Sequence, residues 1–306
     1  MRQWKIIDKK LVLSHSEIPT PKEGHRIIKV NAIGVNRADA LQIQGLYPSP
    51  DNSNVPGLEV SGTLNGKEVC ALITSGGYAE YINVPSNQIF PIPKTYNSIE
   101  AAALPEALIT CYLNIFKIAK FRAGNTILIH GATSGIGNFA IKLCTAFGAK
   151  VYGSVGSAEK IEKCSSLGAD YIFNYNTDWA NDLKQRGGVD IVLDILGGNN
   201  FEKNISALNK NGKLISIAVM TGAQANINLA SVLMKNLTII GSTLRSQSPE
   251  QKADLIKNAT AELYSLIETK NIKPIIDSVY NFEDAPQAIA HLESRNHFGK
   301  IVIKVS

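Results

Sequence analysis

The sequence predicts an α/β protein in which a doubly wound parallel sheet accompanies a mostly-β region. Three observations carry this. From Asn125 onward, nearly continuous apolar runs alternate with helical stretches of roughly ten to fifteen residues, the pattern of a parallel sheet covered on both faces. The preceding residues read instead as short runs separated by Gly and Pro. The 306 residues, 44% of them hydrophobic, are also enough for two cores.

The mostly-β region comprises HRIIKVNAIGV, PGLEVSGTL, NGKEVCALI and GGYAEYINV, closed by PIPK. Asn65-Gly66 between the second and third runs is the strongest short hairpin signal. At Ser98 the pattern changes to SIEAAALPEALITCYLNIFKIAKF, with Ser98 a candidate N-cap and Pro105 set to interrupt that helix or start the next. A domain joint is expected there. The segment 48–55, PSPDNSNV, reads as a polar, mobile rim.

Strand NTILIHG opens the second region, followed by helix NFAIKLCTAFG and strand KVYGSV. Helix SAEKIEKCSSLG, strand ADYIFNY, helix TDWANDLKQRG and strand VDIVLDIL come next. Helix NNFEKNISALNKNG then precedes strands KLISIAV and NLTIIGSTL, which makes six strands, the number of a complete dinucleotide-binding sheet of order 3-2-1-4-5-6. After Gln247 come helix PEQKADLIKNATAELYSLIETKNI, strand IIDSVY, helix EDAPQAIAHLESR and strand GKIVIKV.

Composition narrows the function classes. Net charge is +5 with no basic run or stripe, which argues against nucleic-acid binding. Cys70, Cys111, Cys144 and Cys164 form no CxxC pair and lie in apolar or helical segments, as reduced structural thiols of a cytoplasmic protein would. No signal-like block or apolar stretch of about 18 residues occurs, so neither export nor a membrane span is expected.

The stretch IHGATSGIG, Ile129–Gly137, lies between the first parallel strand and its helix, where backbone N–H groups face a pyrophosphate. Read in the GxGxxG register, Ala132 and Ser134 stand where the first two glycines would be. A short-chain reductase would carry this loop near its N-terminus with a Tyr-x-x-x-Lys pair downstream, and no such pair exists. Near the end of the second strand, around Val155, no carboxylate is available for a ribose 2′-hydroxyl. Ser154, Ser157 and Lys160 instead suit a 2′-phosphate, favouring NADPH over NADH.

The segments NRADALQIQGLY, PGLEVSG, GGYAEYINVP, AAALPEALITCYLNI, LIHGATSGIGNFAIKL, LGADYIFNY, GKLISIAVM, LTIIGSTLRSQ and GKIVIKV resemble the medium-chain dehydrogenase/reductase superfamily. The likeness is to its zinc-free, zeta-crystallin-like quinone oxidoreductase branch and spans nearly the whole chain. It implies a doubly wound parallel Rossmann sheet inserted in a mostly-β GroES-like domain, residues 1–107 with 248–306 enclosing 108–247, and the nicotinamide in the cleft between them. Where zinc members carry Gly-His-Glu, this chain has Gly57-Leu58-Glu59 and no cysteine cluster, so no metal site is expected. The branch usually has a longer turn where only Asn65 and Gly66 remain.

By resemblance, Asn36 and Tyr47 face nicotinamide and substrate while Asp39 supports them; these three are the catalytic candidates. Asn offers a neutral donor, and a phenol can give a proton or hydrogen bond to developing negative charge. Arg37 reads as a surface salt-bridge residue or an anchor for a quinone oxygen. Cofactor contacts carried over are Asn36, Thr110, Ser134, Gly135, Ile136, Ser154, Ser157, Lys160, Tyr175, Thr243, Leu244 and Lys300. The implied activity is NADPH-dependent reduction of quinones or related α,β-unsaturated carbonyls. Two alternatives stand beside it: a 2-enoyl-thioester reductase, and an NADPH-binding structural or sensing protein. The apolar edge strand LTIIGSTL would be hazardous if left unpaired, and the resemblance implies a homodimer through it.

Overall fold

The computed structural model describes residues 1–306 and divides into two compact units, Met1–Ile109 with Leu244–Ser306, and Thr110–Thr243. The first unit opens with a hairpin of β1 (Arg2–Ile7) and β2 (Lys10–His15), whose turn residues Asp8 and Lys9 both have positive φ. The sequence pattern did not disclose this hairpin, because two-residue turns of that hand normally advertise themselves with Asn or Gly. Then come β3 (His25–Gly34), α1 (Arg37–Ile43), β4 (Glu59–Leu64), β5 (Lys67–Leu72), β6 (Tyr81–Pro85) and β7 (Ile89–Pro91). Asn65 and Gly66 form the expected tight β4–β5 turn, both at positive φ, with Leu64 paired to Lys67.

Helix α2 (Ser98–Ala102) starts one residue earlier than Ser98 suggested as a cap. The Asn97 side chain accepts the Glu100 N–H while the Glu100 carboxylate accepts the Asn97 N–H. Pro105 starts α3 (Pro105–Cys111), its missing N–H harmless at a first turn. The helix continues as a wider π-type turn over Tyr112–Ile118. The boundary between the units falls inside α3.

The second unit comprises β8 (Thr126–His130), α4 (Gly135–Ala146), β9 (Lys150–Val155), α5 (Glu159–Lys163), β10 (Tyr171–Asn174), α6 (Trp179–Gln185), β11 (Val189–Asp194), α7 (Asn200–Ala207), β12 (Leu208–Ser216), α8 (Leu229–Lys235) and β13 (Thr238–Gly241). Its six strands are all parallel in the order β10-β9-β8-β11-β12-β13, the doubly wound 3-2-1-4-5-6 arrangement. One boundary differs from expectation: α7 ends at Ala207 and Leu208 already pairs with Val189, so LNKNG belongs to an irregular strand start rather than to the helix. Leu128, Tyr152, Val192 and Leu214 pack with Phe173 and Trp179 in this unit's core.

The chain returns to the first unit with α9 (Pro249–Thr269), β14 (Ile276–Asn281), α10 (Ala285–Ser294) and β15 (Lys300–Lys304). Together with the N-terminal strands these give the order β14-β15-β3-β4-β5-β7, with β6 also paired to β3. The tail strand β15 therefore lies inside the sheet. Its alternation serves both faces: Ile301 and Ile303 join the main core, while Val302 packs with Ala32, Ala102 and Ala103.

Candidate functional site

In the first unit, the turn from β3 into α1 gathers the candidate catalytic residues. Gly34 ends β3, and a Cβ there would collide with Glu59 Oε1, so glycine lets the Glu59 carboxylate approach the backbone. Glu59 is fully buried, and its Oε1 accepts from Lys300 Nζ at 2.5 Å and from Asn36 Nδ2 at 2.9 Å. Its Oε2 accepts the Glu106 N–H at 2.9 Å, which fixes the first turn of α3. Lys300 Nζ donates further to the Asn36 side-chain oxygen at 2.6 Å and the Val35 carbonyl at 3.1 Å. Asn36 Nδ2 also reaches the Gly34 carbonyl at 3.2 Å, so its amide is wholly engaged inside this cluster.

Asp39 is fully buried as well. Its carboxylate accepts the N–H groups of Asn36 at 2.8 Å and Gly57 at 3.2 Å, and the Tyr78 hydroxyl at 3.4 Å. Burial pushes its pKa up to about 6, against the pull of the Asn36 N–H and the Lys300 charge. Burial also lifts Glu106 to about 7, helped by the nearby Glu59 charge and opposed by Lys300 and Lys252. Two carboxyl groups thus take up protons near neutrality in one buried cluster.

Tyr47 is half-buried on the strap after α1, and no protein group hydrogen-bonds its hydroxyl. Burial raises the phenol's pKa, which the Arg245 charge opposes. The guanidinium of Arg245 lies 5.3 Å from the Tyr47 ring centre. The strap itself is knitted inward: Asp51 Oδ1 accepts from Ser49 at 2.5 Å and from the Ser53 N–H at 3.2 Å, and its Oδ2 accepts from Ser75 at 2.5 Å. Gln42 Nε2 donates to the Ser53 carbonyl at 2.9 Å. The segment 48–55 is accordingly a strap tied by hydrogen bonds, with most of its residues exposed. Its serines and aspartate satisfy one another. Arg37 is partly exposed at the start of α1.

In the second unit, the loop after β8 has the form expected of a phosphate turn. Gly131 has φ +73°, and a Cβ on Gly137 would collide with the Gly131 carbonyl oxygen, so the third residue of α4 must be glycine. Ser134 caps α4, its hydroxyl accepting the Gly137 N–H at 2.9 Å. The N–H groups of Gly135 and Ile136 are left at the helix N-terminus, where an anion finds donors and a favourable dipole. Thr110 is buried at the far end of α3, and its carbonyl accepts from Asn114.

Ser157, Lys160 and Tyr175 lie partly exposed just beyond the carboxyl ends of β9 and β10. A Cβ on Gly156 would meet the Tyr175 hydroxyl at 2.8 Å, so the phenol lies against this turn. Ser154 is placed differently. It is fully buried, its hydroxyl 2.6 Å from Nδ1 of buried His130, whose Nε2 lies 2.7 Å from Asn204 Oδ1. An amide oxygen only accepts, so Nε2 carries the proton and Ser154 donates to Nδ1. Burial holds the His130 pKa below its ordinary value. Thr243 is exposed beyond β13, whereas Leu244, the first residue of the returning segment, is buried.

Sequence reasoning missed the partners that make the first cluster work. Glu106, a charge inside the apolar run AAALPEALITCY, was a signal left unused. The Glu59–Lys300 pair joins residues 241 apart and leaves no local trace. No three His, Cys, Asp or Glu side chains are grouped to hold a metal ion, and Glu59 is taken by an ammonium. A divalent cation does not fit these residues.

A mixed-sheet unit joined to a complete doubly wound unit, with a glycine turn on the latter and a buried acid–base cluster in the former, defines a medium-chain oxidoreductase architecture. The family model for zinc-binding dehydrogenases matches residues 135–261. The chain is 30% identical to the mouse (Mus musculus) synaptic vesicle membrane protein VAT-1 homolog-like over 328 residues, covering 97% of this chain and 78% of that protein. It is 30% identical to mouse quinone oxidoreductase over 290 residues, covering 89% and 86%. The quinone oxidoreductase of Thermus thermophilus, solved also with NADPH, superposes with a TM-score of 0.89 at 29% identity over both whole chains. The chain belongs to the medium-chain dehydrogenase/reductase family. No helix is long and apolar enough to cross a membrane.

Proposed function

We propose that the protein is an NADPH-dependent reductase of quinones or related α,β-unsaturated carbonyls that works without a metal. The observation that carries this reading is the Tyr47 hydroxyl, a donor without a protein partner beside the buried guanidinium of Arg245. The likeness to quinone oxidoreductases and the misfit of the donor set to zinc support it. The free N–H groups of Gly135 and Ile136 suit a pyrophosphate, and Ser157, Lys160 and Tyr175 suit the adenosine end with its 2′-phosphate. Thr110, Thr243 and Leu244 are assigned to the nicotinamide side.

Bound there, the cofactor supplies a hydride. The chain's own residues do the rest. Tyr47 gives its proton to the reduced oxygen, the phenol O–H bond breaking as the product O–H forms, and recovers a proton from solvent. Asn36, Asp39 and Lys300 act as the scaffold that holds the β3–α1 turn, because their polar atoms are committed to one another.

The test is NADPH oxidation across an acceptor panel of a para-quinone, an ortho-quinone, an enone and crotonyl thioester. Turnover with the first three supports the reading, while tight NADPH binding with no acceptor reduced removes it. In Tyr47→Phe, a large kcat loss confined to the crotonyl thioester would identify an enoyl-thioester reductase instead.

We further propose a homodimer formed through the second unit. Its edge strand β13 is short, and α8 exposes Leu229, Leu233 and Met234, the last two at 78% and 81%. Such an apolar patch beside an unpaired edge suits a second copy of this chain. Light scattering at micromolar concentration should give twice the 33.1 kDa chain mass, and Leu233→Glu should halve it.

A further inference from the structure

Arg245 sits in the first unit, 4% exposed, and commits its whole fork to the surroundings of Tyr47. Its Nη1 donates to the Tyr47 carbonyl at 3.2 Å, its Nη2 to Gln42 Oε1 at 2.5 Å and its Nε to the Thr74 carbonyl at 3.1 Å. Three acceptors, two on the α1–strap stretch and one at Thr74, are thereby fixed by one planar group, a geometry that lysine's single ammonium does not reproduce. Gln42 passes the constraint on, since its Nε2 holds the Ser53 carbonyl farther along the same strap. Arg245 is anchored in turn by buried Lys252, whose Nζ donates to the Arg245 carbonyl at 3.0 Å and to Thr74 Oγ1 at 2.8 Å.

None of the acceptors of Arg245 is a carboxylate, so its charge is not neutralised in an ion pair. That is a costly way to build a loop, because buried cations normally acquire an anionic partner. The charge acts at longer range on the buried Asp39 carboxylate and lies beside the Tyr47 ring. A phenol that gives up a proton leaves a phenolate, and a fixed cation beside it stabilises that anion without reorganisation.

We propose that Arg245 is the positioning residue for Tyr47, holding the strap through its fork and favouring the phenolate through its charge. This rests on the reading of Tyr47 as proton donor. The charged groups acting on the phenol are Arg245, which favours its ionised form, and Glu106, which opposes it.

The test compares wild type, Arg245→Met and Arg245→Lys by steady-state kinetics and by NMR titration of ¹³Cζ-tyrosine-labelled protein, with Tyr47→Phe assigning the resonance. In Arg245→Met, kcat falls roughly 10- to 100-fold while KM for NADPH holds within about twofold. The Tyr47 titration midpoint and the alkaline limb of the pH profile both move upward. Arg245→Lys keeps the charge, so its titration stays near wild type while kcat still falls. An unmoved titration in the Met variant, or a change in KM alone, overturns the proposal. Should the Met variant not fold, an unchanged kcat in the Lys variant overturns it. If wild type reduces no acceptor, the functional reading fails, yet the titration still decides whether Arg245 acts on Tyr47.

Discussion

Lys300 Nζ and Glu59 Oε1 form a salt bridge of 2.5 Å between a side chain 5% exposed and one wholly buried. It ties the tail strand β15 to β4 across β3, at the place where Asn36 begins its turn into α1. A buried pair is a poor source of net stability but a severe loss when halved, because the surviving charge stays unpaired. Lys300→Met is expected to destabilise the protein by about 3–5 kcal/mol, and the double variant Lys300→Met/Glu59→Gln by less than the two singles added. Urea unfolding of the four proteins checks this double-mutant cycle.

A second expectation concerns the phosphate turn. Gly137→Ala would push a methyl into the Gly131 carbonyl, backbone against backbone, so α4 must shift from the loop it caps. NADPH affinity should fall by roughly tenfold or more. Gly124 has φ +85° but open space around it, so Gly124→Ala should cost only about 1–2 kcal/mol of stability and leave NADPH affinity alone. Isothermal titration calorimetry separates the two.

Cofactor choice separates Lys160 from Ser154. Lys160→Ala should raise KM for NADPH roughly tenfold and leave NADH almost unchanged. Ser154→Ala should preserve the NADPH to NADH preference and lower stability by about 1–3 kcal/mol, because it strips buried His130 of its hydrogen-bond donor. Equal effects of both variants on the preference would contradict this assignment.

Stability should also depend on pH through the buried acids. Asp39 and Glu106 bind protons more tightly when folded, at about 6 and about 7, than when unfolded. The native state therefore holds more protons than the unfolded chain in the window from about 4 to 7. Their contribution is greatest below that window and is lost as pH rises through it, by about 3 kcal/mol for each group. His130, held below its ordinary value, works in the opposite sense as pH falls. Glu106→Gln should accordingly flatten the decline in urea midpoint between pH 5.5 and pH 8. A slope equal to that of wild type would count against the assignment.

What the sequence made legible follows from locality. The six strands of the second unit read as apolar runs because both faces of a parallel sheet are covered, and the glycine turn is defined by adjacent residues. Asn36, Asp39 and Tyr47 were visible as a motif, but their partners arrive from β4, β15 and the residues after β13. Ser154 shows the limit of a period-two pattern. In a strand buried on both faces, no sequence alternation tells which face a hydroxyl takes, and here the deciding partner is His130 on the neighbouring strand. The β1–β2 hairpin escaped because Asp8 and Lys9 adopt positive φ without a glycine.

Under the proposed function, hydride passes from NADPH to a quinone without a metal and Tyr47 supplies the proton. Stopped-flow oxidation of NADPH by 1,4-benzoquinone, using protein dialysed against a chelator, tests it most directly. Full activity after chelation, with a marked rate loss in Tyr47→Phe, is the predicted result. Activity that vanishes on chelation and returns with zinc would contradict it.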